Sequence, residues 1–141
     1  NIIGIKDATG RLEIGLNLVQ SFGDRLAVYS GEDGLSRELI LAGADGTISV
    51  TANVAPVLMS SMCSAALNGD QAEAERLDAV LEKLHETLFL EGNPVPVKWA
   101  LSQMGMVGPS LRLPLVELGS RHRARVSNAL AAAGIEISKT V

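Results

Sequence analysis

Ile2-Ile3-Gly4-Ile5-Lys6-Asp7-Ala8-Thr9-Gly10 decides how the rest of the chain is read. A short apolar run without helical spacing reads as a strand buried on both faces, as in a parallel sheet. A lysine follows it directly, and then a turn of small and polar residues. The C-terminal ends of such strands are where active sites gather in α/β barrels and open α/β sheets.

Two more strands are expected downstream, at Leu26-Ala27-Val28-Tyr29 and Gly46-Thr47-Ile48-Ser49-Val50. Between the first two, Leu12, Leu16 and Val19 recur on one helical face, and Gly23-Asp24 ends the pattern. Between the second and third, Leu35, Leu39 and Ala42 do the same, with Gly43 as a C-terminal stop. Strand, helix, strand, helix, strand is the order of right-handed βαβ units. After Thr51 the pattern predicts only helices, over about 54–67, 71–90, 96–104 and 116–133. Asp70 with Glu73 is a capping pair for the second of these. Its inner stripe is Leu77, Val80, Leu81, Leu84 and Leu88. Three parallel strands do not close a barrel, which takes about 250 residues in its eight-stranded form. As an open sheet they expose edges that are a liability.

Composition narrows the function classes. Hydrophobic residues make up 47% and aromatic residues 3% of the 141, so an aliphatic core is expected. The net charge of −4 argues against a nucleic-acid binder. Arg121, Arg123 and Arg125 spread around a helix instead of forming a basic stripe, so a solvated helix surface is expected. No apolar segment reaches the roughly 18–20 residues of a membrane span, so no membrane partner is expected. Cys63 is the single cysteine; in its apolar run it reads as a structural thiol, in keeping with a cytoplasmic setting. The chain begins at Asn1, within what reads as a strand. Its true N-terminus is therefore expected upstream, and a targeting signal there stays open.

Lys6 is the leading candidate for chemistry. Flanked by Ile5 and Ala8, its amine is expected to be poorly solvated and to have a lowered pKa. A neutral amine attacks a carbonyl to form a Schiff base. The competing reading is a lysine that snorkels from a strand end to water. Ser30-Gly31-Glu32-Asp33 and Ser49-Val50-Thr51-Ala52-Asn53 end the other two strands on the same side of the sheet. Gly31 either admits a substrate close to the backbone or only makes a turn. Asp33 either meets substrate or caps the next helix, as does Thr9. Thr51 and Asn53 serve equally well as turn and cap residues. His85 and His122 lie on separate helices and read as surface or packing residues. No metal constellation and no Gly-rich phosphate loop is present, so no cofactor is expected.

Gly4-Ile5-Lys6-Asp7-Ala8-Thr9-Gly10 resembles the Schiff-base lysine motif of the dihydrodipicolinate synthases. Ser30-Gly31-Glu32-Asp33 is similar to the next strand end of that family, and Gly46 to Val54 to its last barrel strand and turn. Asn93-Pro94-Val95-Pro96-Val97-Lys98-Trp99-Ala100 and Leu111-Arg112-Leu113-Pro114-Leu115 resemble segments of its C-terminal helical domain. The matches run in order along nearly the whole chain.

The resemblance implies an α/β fold: strands six to eight of a partial TIM (β/α)8 barrel in residues 1–68, then a helical extension in residues 69–141. It implies that Lys6 forms an imine with pyruvate, and that Gly31 and Ile48 line the pyruvate pocket, Ile48 through its backbone. The enamine then adds to L-aspartate 4-semialdehyde in lysine and diaminopimelate biosynthesis, in a full-length parent expected to be a homotetramer. In the family, paired threonines, a proton-relaying tyrosine and a carboxylate-binding arginine precede the lysine strand. None of those positions exists in this chain, and Tyr29 does not replace the tyrosine. The chain alone is therefore expected to be inactive. N-acetylneuraminate lyase and keto-deoxy sugar-acid aldolases are rival parents, and an inactive half-barrel is a rival of another kind.

Overall fold

The opening apolar run does form a strand, shifted two residues along the chain. The computed structural model describes residues 1–137. In it, β1 is Gly4–Asp7, β2 is Ala27–Ser30 and β3 is Gly46–Thr47. They make one parallel sheet in the order β1-β2-β3. Lys6 is in register with Tyr29, and Tyr29 with Gly46; Asp7 is in register with Ser30, and Ser30 with Thr47. Beyond the strand ends the ladder continues, Gly31 N–H donating to Asp7 C=O at 2.6 Å and Ile48 N–H to Ser30 C=O at 2.8 Å. β3 is shorter than expected because the chain bends after Ile48 toward a 3-10 turn at Thr51–Asn53.

The chain falls into two compact units. One is Asn1–Ser49 with Val57–Ala79; the other is Val50–Pro56 with the described residues from Val80 onward.

In the first unit the crossover helices are α1, Leu12–Phe22, and α2, Ser36–Leu41. Gly15 of α1 lets them approach: a Cβ there would stand 2.6 Å from Leu39 Cδ2 of α2 and 3.3 Å from Asp7 Oδ2 of β1. That contact puts α1 on the side of the sheet to which Asp7 points. Strand alternation puts Val28, Ser30 and Thr47 on that side with it. Val28 and Ser30 are buried there, and Ser36 at the start of α2 bonds Thr47.

The opposite side, bearing Lys6, Tyr29 and Ile48, carries neither helix. The expectation of strands buried on both faces thus fails for β1. Ile2 and Ile3, just before the edge strand β1, are 79% and 84% exposed.

Gly43, at φ +109, turns the chain out of α2 into β3. Its N–H donates to Ile40 C=O and that of Ala44 to Leu39 C=O, a left-handed stop that residues with a Cβ rarely adopt. α3, Pro56–Leu67, begins two residues after the expected start, with proline in its first turn. Ile40, Ala66 and Ala74 form a buried cluster against which Cys63 packs. Arg37 and Asp78, both mostly buried, join at 2.9 Å.

α4 is Gln71–Thr87, and Asp70 Oδ1 accepts from Glu73 N–H at 3.1 Å, the expected cap. In the second unit, Leu81, Leu84 and Leu88 are fully buried, whereas Val80 is 37% exposed and lies at the margin of the expected stripe. α5 is Val95–Gln103 and α6 is Ser120–Ala132. α6 starts four residues later than the spacing predicts. Gly119 is extended, and its N–H is taken by Glu91 Oε1 at 3.2 Å, a contact from a distant segment. Arg121, Arg123 and Arg125 lie on α6 as a dispersed set; Arg123 meets Glu117 at 3.3 Å and Arg125 meets Glu86 at 3.6 Å. No helix among the described residues is long and apolar enough to cross a membrane.

Candidate active site

Lys6 and Gly31 come together on the side of the sheet opposite α1. A Cβ built on Gly31 would overlap Lys6 Cε, and would come within 2.8 Å of Ala8 Cβ and 3.0 Å of Asp7 O. The lysine stem therefore lies across the glycine of the neighbouring strand end. Tyr29 lies beside Gly46, where an added Cβ would stand in ordinary contact with its Cδ1 at 3.6 Å. Ile48, just past the end of β3, is 51% exposed. Its N–H is engaged by Ser30 C=O, so the backbone group it can offer a ligand is its carbonyl. Lys6, Gly31 and Ile48 thus share one face and one end of the sheet.

Lys6 itself is exposed, as is Ala8. The desolvation expected from its apolar neighbours is not supplied by the described residues. An amine in that position can reach a carbonyl compound, but water reaches it too.

Beneath the strand ends, the side facing the helices is polar and bonded. Asp7 is buried, and its carboxylate accepts from Thr9 N–H at 3.1 Å and from Thr9 Oγ1 at 3.3 Å. Thr9 therefore closes the turn after Lys6; the N-cap position of α1 is Arg11. Ser30 Oγ donates to Glu32 C=O at 2.8 Å and accepts from Glu32 N–H at 3.3 Å. Ser36 Oγ lies 2.9 Å from Thr47 Oγ1 and 3.0 Å from Glu32 O, and Thr47 Oγ1 donates to Ser30 C=O at 3.2 Å. Each hydroxyl has one proton: Ser30 supplies Glu32 C=O, Thr47 supplies Ser30 C=O, and Ser36 supplies either Thr47 Oγ1 or Glu32 C=O. Asp45 Oδ2 takes Val28 N–H at 2.7 Å, pinning β2 to the segment entering β3. These bonds fix the backbone of Ser30, Gly31 and Glu32, and so the surface on which Lys6 rests.

Spacing alone did not single out Ser36, Thr47 or Asp45. The available signal was a polar residue in or just after each apolar run, on the helix-facing parity: Asp7, Ser30 and Thr47. Asp33 opens the 3-10 turn Asp33–Leu35 and is 1% exposed; Leu35 holds the N-cap position of α2, so Asp33 is not the cap of that helix.

In the second unit, Thr51 is fully buried and bonded to His85 Nδ1 at 2.9 Å, which makes His85 a packing residue. Asn53 Nδ2 donates to Val50 C=O at 3.0 Å within its own turn. His122 Nε2 lies 2.9 Å from Arg121 Nε. Cys63 is half-buried, and its thiol is pushed up by burial first and then by the carboxylates of Asp33 and Asp78. Among the described residues no His, Cys, Asp and Glu side chains cluster so as to hold a metal ion.

Comparison with known proteins places this geometry in a family. The dihydrodipicolinate synthetase family model matches residues 1–133. The 4-hydroxy-tetrahydrodipicolinate synthase of Alkalilimnicola ehrlichii is 60% identical over 95% of this chain and 46% of its own length. That of Thioalkalivibrio sulfidiphilus is 53% identical over 98% of this chain and 47% of its own. The crystal structure of the chloride-inhibited dihydrodipicolinate synthase from Acinetobacter baumannii complexed with pyruvate is 48% identical. It superposes with a TM-score of 0.94 over 96% of this chain and 47% of that one. The chain spans just under half the length of the relatives it matches. It belongs to the dihydrodipicolinate synthetase family.

Proposed function

We propose that this chain carries the pyruvate-capturing part of a 4-hydroxy-tetrahydrodipicolinate synthase, with Lys6 as the Schiff-base residue. The observation that carries the reading is the seating of the Lys6 stem across Gly31 at the ends of parallel strands, in a chain of this family. The neutral amine of Lys6 attacks the ketone carbon of pyruvate, and the C=N bond forms as water leaves. Loss of a methyl proton to a base gives the enamine, whose carbon attacks the aldehyde carbon of L-aspartate 4-semialdehyde and forms the new C–C bond. The aldehyde π pair moves to its oxygen and takes up a proton, and the C=N bond to Lys6 re-forms, to be opened by the substrate's own amine as Lys6 leaves. Gly31 leaves room for the Lys6 stem to lie across the strand end, and in this reading the Gly31 backbone and the Ile48 carbonyl border the pyruvate.

In this reading the three strands are strands six to eight of a (β/α)8 barrel. Residues 1–68 belong to the barrel and 69–141 to a helical extension, in a cytoplasmic homotetramer of lysine and diaminopimelate biosynthesis. The relatives' names favour this parent over N-acetylneuraminate lyase or a keto-deoxy sugar-acid aldolase.

The test is a chimera in which this chain follows the part of the Alkalilimnicola ehrlichii synthase that the match leaves uncovered. It should condense pyruvate with L-aspartate 4-semialdehyde, and should not use N-acetylmannosamine as acceptor. Preference for the sugar would reassign the chain within the superfamily. The 141-residue chain alone should show negligible condensation, because the proton relay and the clamp for the second substrate are not among its residues.

A further inference from the structure

Lys6 and Asp7 are neighbours on β1 whose side chains go opposite ways. Strand alternation sends the lysine to the side of Gly31 and the carboxylate to the side of α1. Asp7 is 8% exposed, and no step of the reaction proposed for Lys6 uses it. A buried carboxylate is costly unless its oxygens are bonded. Both are: Oδ1 accepts the Thr9 N–H at 3.1 Å, and Oδ2 the Thr9 hydroxyl at 3.3 Å. A carboxylate that takes the N–H two residues on makes an Asx turn. This one starts at the residue after the lysine and leads into Gly10, whose φ of +69 completes the bend before α1.

Asp7 makes two further contacts. Its C=O accepts Gly31 N–H at 2.6 Å, which ties the end of β1 to the glycine over which the lysine stem lies. A Cβ on Gly15 would stand 3.3 Å from its Oδ2, so α1 packs directly against the carboxylate. One residue thus holds the turn behind the lysine, the neighbouring strand end and the face of the crossover helix. We propose that Asp7 is a positioning residue for Lys6: with Thr9 it holds the end of β1 in the orientation that keeps the lysine stem across Gly31. This role rests on the reading of Lys6 as the imine-forming amine. A carboxylate that served stability alone would act independently of the lysine's seat. A positioning carboxylate acts through that seat, so its effect disappears once the seat is lost.

The test is a cycle of variants in the chimeric synthase. The readouts are the rate at which borohydride with limiting pyruvate traps Lys6, and kcat/KM, with circular dichroism to establish that each variant folds. Asp7→Ala should slow trapping about 10- to 10²-fold, the scale of a misplacement of up to roughly 1 Å. Asp7→Asn should stay within about threefold of the unsubstituted enzyme, because its amide oxygen accepts the Thr9 N–H and its NH2 donates to Thr9 Oγ1. On the Gly31→Ala background, where the lysine is already displaced, Asp7→Ala should cost less than about threefold more. If Asp7→Ala does not fold, Thr9→Val takes its place in the cycle; it deletes one of the two bonds and should cost roughly threefold or more, again only while Gly31 is present. A loss as large on the Gly31→Ala background as without it overturns the proposal. Trapping by Asp7→Ala at the unsubstituted rate, or by Asp7→Asn as slowly as by Asp7→Ala, overturns it too. Absence of a Lys6 adduct in the unsubstituted chimera refutes the imine reading itself, and the positioning role with it, before any variant is compared.

Discussion

Lys6 Cε occupies the space that a side chain at position 31 would fill. The glycine at this strand end is therefore a condition for where the lysine stem lies. The backbone of Gly31 is not in the left-handed region, so the requirement is steric and local.

Gly31→Ala follows from this. The added methyl overlaps Lys6 Cε and presses on Ala8 and Asp7, so the lysine must leave its seat. In the chimeric synthase kcat/KM should fall about 10²-fold, the scale of a misplacement of roughly 1 Å. Stability should fall by only about 1–2 kcal/mol, the usual cost of modest overpacking. Steady-state kinetics and urea unfolding check the two halves of this prediction; unchanged pyruvate trapping would contradict it.

The hydroxyl set under the strand ends should be coupled. Ser36→Ala removes the donor to Thr47 Oγ1, and Thr47→Val removes the donor to Ser30 C=O. Each should cost about 1 kcal/mol. The double variant should cost less than the sum by at least roughly 0.5 kcal/mol, because the two groups share one bond. Strict additivity in urea titrations would show that the hydroxyls act separately.

Cys63 should react slowly. Burial and two neighbouring carboxylates raise its thiol above the ordinary 9.0, so the thiolate is scarce at pH 8. Alkylation by iodoacetamide should lag behind that of a small free thiol, and speed up on unfolding in urea. The linkage has a definite sign: the folded state holds this proton more tightly than the unfolded state does. The stability it contributes is thus fully present below pH 9 and declines as pH rises above it. Alkylation of the native chain as fast as that of the free thiol would count against this.

Two neighbours on α4 should separate sharply. Leu84 is fully buried and Val80 is 37% exposed, although both belong to the stripe read from the sequence. Leu84→Ala should cost about 2–5 kcal/mol, and Val80→Ala well under half of that. Trp99, the single tryptophan, lies in the same compact unit and reports the unfolding by fluorescence. Similar losses for the two variants would mean that the helix packs on a different face.

The strands and helices were legible because short apolar runs and helical spacing are local signals. Lys6 and Gly31 were legible as strand-end residues for the same reason, whereas Ile48, read inside the third strand, came only with the family resemblance; register and the ladder bonds bring the three to one end of one face. The exposure of Lys6 was not legible, because hydrophobic spacing says how a strand pairs and nothing about what lies across from it. Ser36 with Thr47 and Thr51 with His85 are pairs 11 and 34 residues apart, visible only once the chain is folded. The late start of α6 depends on Glu91 reaching Gly119, a tertiary contact that overrides local helical preference.

The most direct test is borohydride trapping of the chimeric synthase in the presence of pyruvate, with the adduct located by peptide mass mapping. Lys6, Lys83, Lys98 and Lys139 are the four lysines this chain brings, Lys139 lying outside the described residues. A single pyruvyl adduct on Lys6, lost in Lys6→Ala, is the predicted result. An adduct on Lys83, Lys98 or Lys139 in place of Lys6 would contradict the assignment.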